Sequence, residues 1–143
     1  MIRQFSGADT GPVLGLANTY AAFDGTTSEA DLAVTGSFPK GFLVAEDEGR
    51  IVGFVYGYFK DVPSVVLDRW KATKVGYVAL MAVEPSHRKK GTGTALLNRL
   101  LEEFRAAGAD MVTLDCPAQA AEAKRLYDKM GFEPRFYGLK KRL

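Results

Sequence analysis

Leu80-Met81-Ala82-Val83-Glu84-Pro85-Ser86-His87-Arg88-Lys89-Lys90-Gly91-Thr92-Gly93-Thr94-Ala95-Leu96-Leu97 decides how this chain folds. An apolar run ends at Pro85. A basic loop with the pattern Arg-x-x-Gly-x-Gly follows, from Arg88 to Gly93, and leads into an Ala-Leu-Leu helix. Glycines allow a sharp turn and let a ligand approach the main chain. The first turn of the helix carries N–H groups with no intrahelical partner and a partial positive charge. Strand, loop and helix together predict an anion site built from backbone, and a phosphate is its natural guest. Taken alone, Arg88-Lys89-Lys90 reads first as a solvated basic turn, and the glycines and flanking elements turn the reading to phosphate.

Both flanks extend this reading. Val75 to Val83 is apolar almost throughout, which predicts a strand buried on both faces. Downstream, Leu96, Leu97, Leu100, Leu101 and Phe104 recur at helical spacing, and Gly108 provides a stop. Met111 to Cys116 reads as a short strand, about Ala118 to Met130 as a helix ended by Gly131, and Arg135 to Leu143 as a final strand. Upstream, Ile2 to Phe5 reads as a strand. A helix capped by Asp9 or Thr10 follows, with Pro12 in its first turn. Ser28 to Val34 reads as a short second helix. Phe42 to Glu46 and Ile51 to Phe59 form a hairpin about Asp47-Glu48-Gly49-Arg50. Asp61 to Lys74 shows no clear periodicity and reads as an extended loop. The second half therefore alternates strand and helix, which predicts an α/β (α+β) mixed sheet with a parallel βαβ unit around the phosphate loop.

The totals bound the alternatives. The 143 residues fit a single domain spanning 1–143, with 47% hydrophobic and 25% charged residues. A net charge of +2 gives no support for nucleic acid as the main partner. One His makes a multi-histidine metal site impossible, and no metal is expected. No apolar run approaches the roughly 20 residues of a membrane span. A single Cys and no signal pattern at the N-terminus predict a cytoplasmic protein.

Two nucleotide fingerprints fail on this loop. The Walker pattern needs Gly-Lys-Ser/Thr, whereas here Lys90 precedes Gly91. The dinucleotide pattern needs a third small residue where this chain has Leu96. The order of elements instead resembles the GNAT superfamily of acyl-CoA-dependent N-acetyltransferases. Met81-Ala82-Val83-Glu84-Pro85, the loop through Leu97, and Ala123-Lys124-Arg125-Leu126-Tyr127-Asp128-Lys129-Met130-Gly131-Phe132 carry the resemblance. It covers nearly the whole chain, in order. It implies a GNAT fold: a mixed central sheet of about six strands, helices on both faces, and central strands splayed for acetyl-CoA.

The resemblance also implies roles. The backbone of Lys89, Lys90, Gly91, Thr92, Gly93 and Thr94 would take the pyrophosphate of acetyl-CoA, with Arg88 opening the motif. The pantetheine arm would pair like an added strand along Met81, Ala82 and Val83. Tyr127 would protonate the leaving thiolate, since a phenol of pKa near 10 stays protonated at pH 7. Read without the family, Tyr127 is an aromatic on a core-facing stripe. Asp115 is the candidate base, acting through water, and reads equally as a helix-capping residue. Glu84 is a second candidate, and His87 a weaker one.

This chain departs from the family in two places. Many members carry Asn seven residues before the Tyr, where Ala120 stands here. The segment after Phe132 is short for a closing hairpin, so a second copy of the chain, in a homodimer, is expected to cover an exposed sheet edge. The reaction implied is acetyl transfer from acetyl-CoA to a primary amine in a ternary complex. The acceptor would be a small molecule or a protein. The alternative is a non-catalytic acyl-CoA-binding sensor of the same fold. Acceptor contacts would come from Tyr20 to Phe38, including Asp24, Glu29 and Asp31, and from Asp61 to Lys74, including Trp70.

Overall fold

The computed structural model describes residues 1–23 and 25–143, without the side chains of Val34 and Thr35. Among them, five strands form one sheet: β1 (Ile2–Gln4), β2 (Phe42–Asp47), β3 (Arg50–Phe59), β4 (Val75–Val83) and β5 (Met111–Leu114). Neighbours in space are neighbours in sequence. The first four pair antiparallel, and β5 joins β4 in parallel. Five helices accompany them: α1 (Thr10–Tyr20), α2 (Glu29–Ala33), α3 (Ser64–Trp70), α4 (Thr92–Ala106) and α5 (Ala121–Lys129). The parallel step from β4 to β5 runs through α4. This is the βαβ unit expected around the basic loop.

Two expectations fail. Arg135 to Leu143 forms no strand, so the described sheet has five strands rather than about six. The Arg135 guanidinium stacks over Trp70 at 5.1 Å and over Phe136 at 4.5 Å, which draws the segment towards α3. Tyr137 and Leu139 beyond it are exposed. The second concerns Asp61 to Lys74, which contains α3 instead of an extended loop. Pro63 sits before the first turn, where its carbonyl accepts the Val66 N–H at 2.9 Å. There, its missing N–H costs nothing.

Each face of the sheet carries its own apolar cluster. Val55 and Val78 pack with Leu96, Leu97, Leu100 and Phe104 of α4, all four of them 0% exposed. Burying each such side chain contributes about 1.5–3 kcal/mol. Phe104 seats its ring directly on the sheet backbone. A Cβ on Gly57 or Gly76 would come within 2.7 or 2.8 Å of that ring, so only glycine fits. On the opposite face, Phe54, Tyr56 and Ala82 pack with Val13, Leu16 and Ala17 of α1.

Asp9, 5% exposed, fastens α1 to the sheet edge. Its carboxylate accepts two bonds from the Arg3 guanidinium, at 2.8 and 2.9 Å, and one from the Ser6 N–H at 2.8 Å. The Arg3 bonds hold its pKa down to about 2, against the desolvation that burial imposes.

Candidate active site

The sheet opens where β4 changes register. Tyr56 faces Leu80 while Gly57 faces Val78, leaving Ala79 as an extra residue on β4. Such a bulge bends its strand and breaks the ladder. Pairing with β5 runs only from Val75 opposite Met111 to Val78 opposite Leu114. Beyond that point, the β5-facing side of β4 has no strand neighbour among the described residues. Met81, Ala82 and Val83 lie along this unpaired stretch, the first half-buried and the other two buried.

The basic loop closes one end of the opening. Lys89 has φ 62° and Gly91 φ 82°, so two left-handed residues turn the chain into α4. Gly91 adopts this conformation at no steric cost, whereas Lys89 does so at a cost of about 1–2 kcal/mol. The Ala95 N–H donates to the Gly91 carbonyl at 2.9 Å and begins the helical ladder. The N–H groups of Thr92, Gly93 and Thr94 precede it at the helix end. A bend in β4 and a helix N-terminus therefore meet at one cleft. Lys89 and Lys90 are exposed beside it.

Arg88 is turned to protein contacts. Its Nε donates to the Val83 carbonyl at 2.9 Å, its Nη1 lies 3.5 Å from Glu122 of α5, and its guanidinium lies 5.2 Å above the Tyr20 ring. One side chain thus ties the end of β4 to α5 and α1. Glu84 pairs with Arg50, and His87 Nε2 lies 2.8 Å from Asp47 Oδ2. Both partners belong to the β2–β3 hairpin end. These two pairs strap the loop to the hairpin and engage both minor base candidates there.

Asp115 stands just past the end of β5, where β4 and β5 part. Its Oδ2 accepts the Tyr77 hydroxyl at 2.9 Å. Burial, and then that bond, push the Tyr77 phenol well above its usual range, so it stays protonated and donates. Tyr127 lies on α5, half-buried, with its ring edge-on to Phe132 at 5.8 Å. Burial, with a smaller contribution from the Cys116 thiol, pushes its hydroxyl up to about 12. That hydroxyl has no hydrogen-bond partner among the described residues. Burial also pushes the Cys116 thiol up, the reverse of what a nucleophile needs. Ala120 immediately precedes α5 and accepts the weak Cys116 thiol contact at 3.9 Å.

The acceptor-side expectations divide. Asp24 lies outside the described residues. Asp31 accepts the Ser28 N–H at 2.7 Å, and this holds its pKa low as a helix cap. Glu29 is exposed on the same short helix, and Trp70 is half-buried under Arg135. Sequence reading missed Tyr77, Tyr58, Lys60 and Thr113. The Tyr58 and Tyr77 rings meet at 5.6 Å, and Lys60 Nζ lies 4.4 Å from the Tyr77 ring centre. The parallel register sets Tyr77 opposite Thr113. Alternation along β3 and β5 would have hinted at this cluster, but only once the register was known. Among the described residues no His, Cys, Asp and Glu side chains group as metal ligands. No helix there is long and apolar enough to cross a membrane.

Known proteins share this fold. The model of the acetyltransferase (GNAT) family matches residues 13–132. The L-2,4-diaminobutyric acid acetyltransferase of Nocardia farcinica is 32% identical over 137 residues, covering 90% of this chain and 66% of that protein. An N-alpha-acetyltransferase of Sulfurisphaera tokodaii is 31% identical over 100 residues, covering 64% of this chain and 56% of that protein. The chain thus spans between about half and two thirds of these relatives' length. The crystal structure of Ard1 from Thermoplasma volcanium superposes with a TM-score of 0.75 at 27% identity, covering 93% of this chain and 82% of that one. The split strand and basic loop lie within the matched span, and the chain belongs to the acetyltransferase (GNAT) family.

Proposed function

We propose that this protein is an acetyl-CoA-dependent N-acetyltransferase that passes the acetyl group directly to a primary amine. The observation that carries this reading is the parting of β4 from β5 at Ala79, with the helix N-terminus of α4 at one end and Asp115 at the other. The main chain of Met81, Ala82 and Val83 has no strand partner on its β5-facing side among the described residues. Apart from the Val83 carbonyl, which Arg88 takes, it suits an extended ligand arm that pairs as an added strand. The amides of Lys89, Lys90, Gly91, Thr92, Gly93 and Thr94 suit its pyrophosphate. Arg88 would position this loop through its contacts with Val83 and Glu122.

The amine lone pair attacks the thioester carbonyl carbon, the carbon–sulfur bond breaks, and the sulfur leaves with the bonding electrons. An ammonium of pKa near 10.4 is neutral in only about one molecule in 2,500 at pH 7, so its proton must go to a base. Asp115 receives it, directly or through water. Tyr127, whose hydroxyl burial pushes up to about 12 and which has no hydrogen-bond partner among the described residues, gives a proton to the departing thiolate. The relatives named L-2,4-diaminobutyric acid acetyltransferase and N-alpha-acetyltransferase support an amine acceptor.

The test is transfer from acetyl-CoA to a panel of free amino acids, polyamines and peptide N-termini, with acetyl-CoA binding measured alongside. Turnover with at least one amine is expected. Tight acetyl-CoA binding with no transfer to any amine would replace this reading by that of an acyl-CoA sensor.

A further inference from the structure

We infer that the sheet face bearing Lys60, Tyr77 and Asp115 is a zwitterion site, which takes the carboxylate of a free amino acid on Lys60 and its amine at Asp115. This deepens the acetyltransferase reading and rests on it only for the transfer of acetyl to the bound amine. Three observations place the two charges. Tyr77 donates its hydroxyl to Asp115 at 2.9 Å, fixing an anion at the phenol end of the ring. Lys60 Nζ lies over the same ring, 4.4 Å from its centre. The Lys60 N–H donates to the Val75 carbonyl at 2.9 Å, so the residue is held just past the last rung of β3 and β4.

Lys60 makes no ion pair among the described residues, and neither does Asp115. A phenol reaches about 2.8 Å from ring centre to oxygen, so the two charges stand at most about 10 Å apart across one tyrosine. An amino acid separates its nitrogen from its carboxylate oxygens by about 3 Å, and a hydrogen bond of about 2.9 Å at each end brings its reach to roughly 9 Å. With Nζ over the ring face and the carboxylate beyond its edge, the two charges stand nearer ~7 Å apart, within that reach. A protein N-terminus, which has an amide in place of the carboxylate, would leave Lys60 without its partner.

The surroundings agree. Tyr58 packs against Tyr77 at 5.6 Å and forms an aromatic wall. Thr113, opposite Tyr77 in register and 9% exposed, has a buried hydroxyl with no hydrogen-bond partner among the described residues. Buried polar groups are seldom left so, and a ligand or water beside Tyr77 would satisfy this one. Asp115 also sits where β4 and β5 part, so an amine held there faces the proposed thioester position.

The test is equilibrium binding to the protein–CoA complex of a panel of free L-amino acids and their carboxamides, measured by calorimetry. The tightest free acid is expected to bind at least tenfold better than its carboxamide, and Lys60→Gln is expected to bring that ratio to about one. Equal binding of acid and amide overturns the inference, as do a preference that survives Lys60→Gln and failure of every free acid to bind. Binding needs no turnover. An acid that binds with this preference, while no amine of the transfer panel is acetylated, would sink the enzymatic reading and leave the zwitterion site standing.

Discussion

The two walls of the cleft are built in opposite ways. The β4–loop–α4 wall rests on Leu96, Leu97, Leu100 and Phe104, all fully buried, and offers the cleft main-chain groups. The wall of β5 and α5 has a four-residue strand and a helix with no fully buried residue, and offers side chains. The first wall suits a ligand that never changes, because backbone positions do not depend on side-chain identity. The second suits chemistry that is adjusted, because Asp115 and Tyr127 can be replaced without opening the core.

This contrast breaks most readily at Phe104. Phe104→Ala removes the ring seated on Gly57 and Gly76 and is expected to cost about 4 kcal/mol, with acetyl-CoA affinity lost in proportion to unfolding. Denaturant titration with cofactor binding checks it. A stable variant that binds acetyl-CoA normally would show that the first wall does not depend on its core. Tyr127→Phe should do the reverse. Turnover is expected to fall about a hundredfold, with stability and acetyl-CoA affinity unchanged, since the hydroxyl has no hydrogen-bond partner among the described residues to lose. Steady-state kinetics beside a melting curve decide this, and an undiminished kcat removes Tyr127 from the mechanism.

The same contrast recurs between two carboxylates. Asp9 is buried and tied to Arg3, whereas Asp115 is exposed and tied to one phenol. Asp9→Asn is expected to cost about 2 kcal/mol at neutral pH through its charge-assisted bonds. The folded-state pKa lies below the unfolded one. The contribution is therefore complete above about pH 4 and disappears as pH falls through about 2. Urea titrations of both proteins at pH 7 and at pH 2 test this. The two curves should converge at the lower pH, and a gap that persists there would assign the loss to packing.

How much of this was legible beforehand follows the same division. The strand at Val75 to Val83, the loop and the helix after it were readable because apolar runs, Pro85, Gly91 and Gly93 mark their own boundaries. α3 was not, since seven residues give two turns, too few for a period to stand out, and Pro63 read as a breaker instead of a helix start. The final segment looked like a strand from Phe136, Tyr137 and Leu139, but a strand exists only through a neighbour, and Arg135 leads the chain to Trp70 instead. Glu84 and His87 looked chemically available until the hairpin supplied Arg50 and Asp47. The grouping of Lys60, Tyr77 and Asp115 depends on strand register, which local sequence does not encode.

Lys89 holds a backbone angle that glycine would take up without strain. Lys89→Gly would relieve that angle and keep the backbone N–H, so the lysine side chain is carried at a cost of about 1–2 kcal/mol. Position 89 thus sets a backbone angle that favours glycine against a side chain that places a cation beside the cleft.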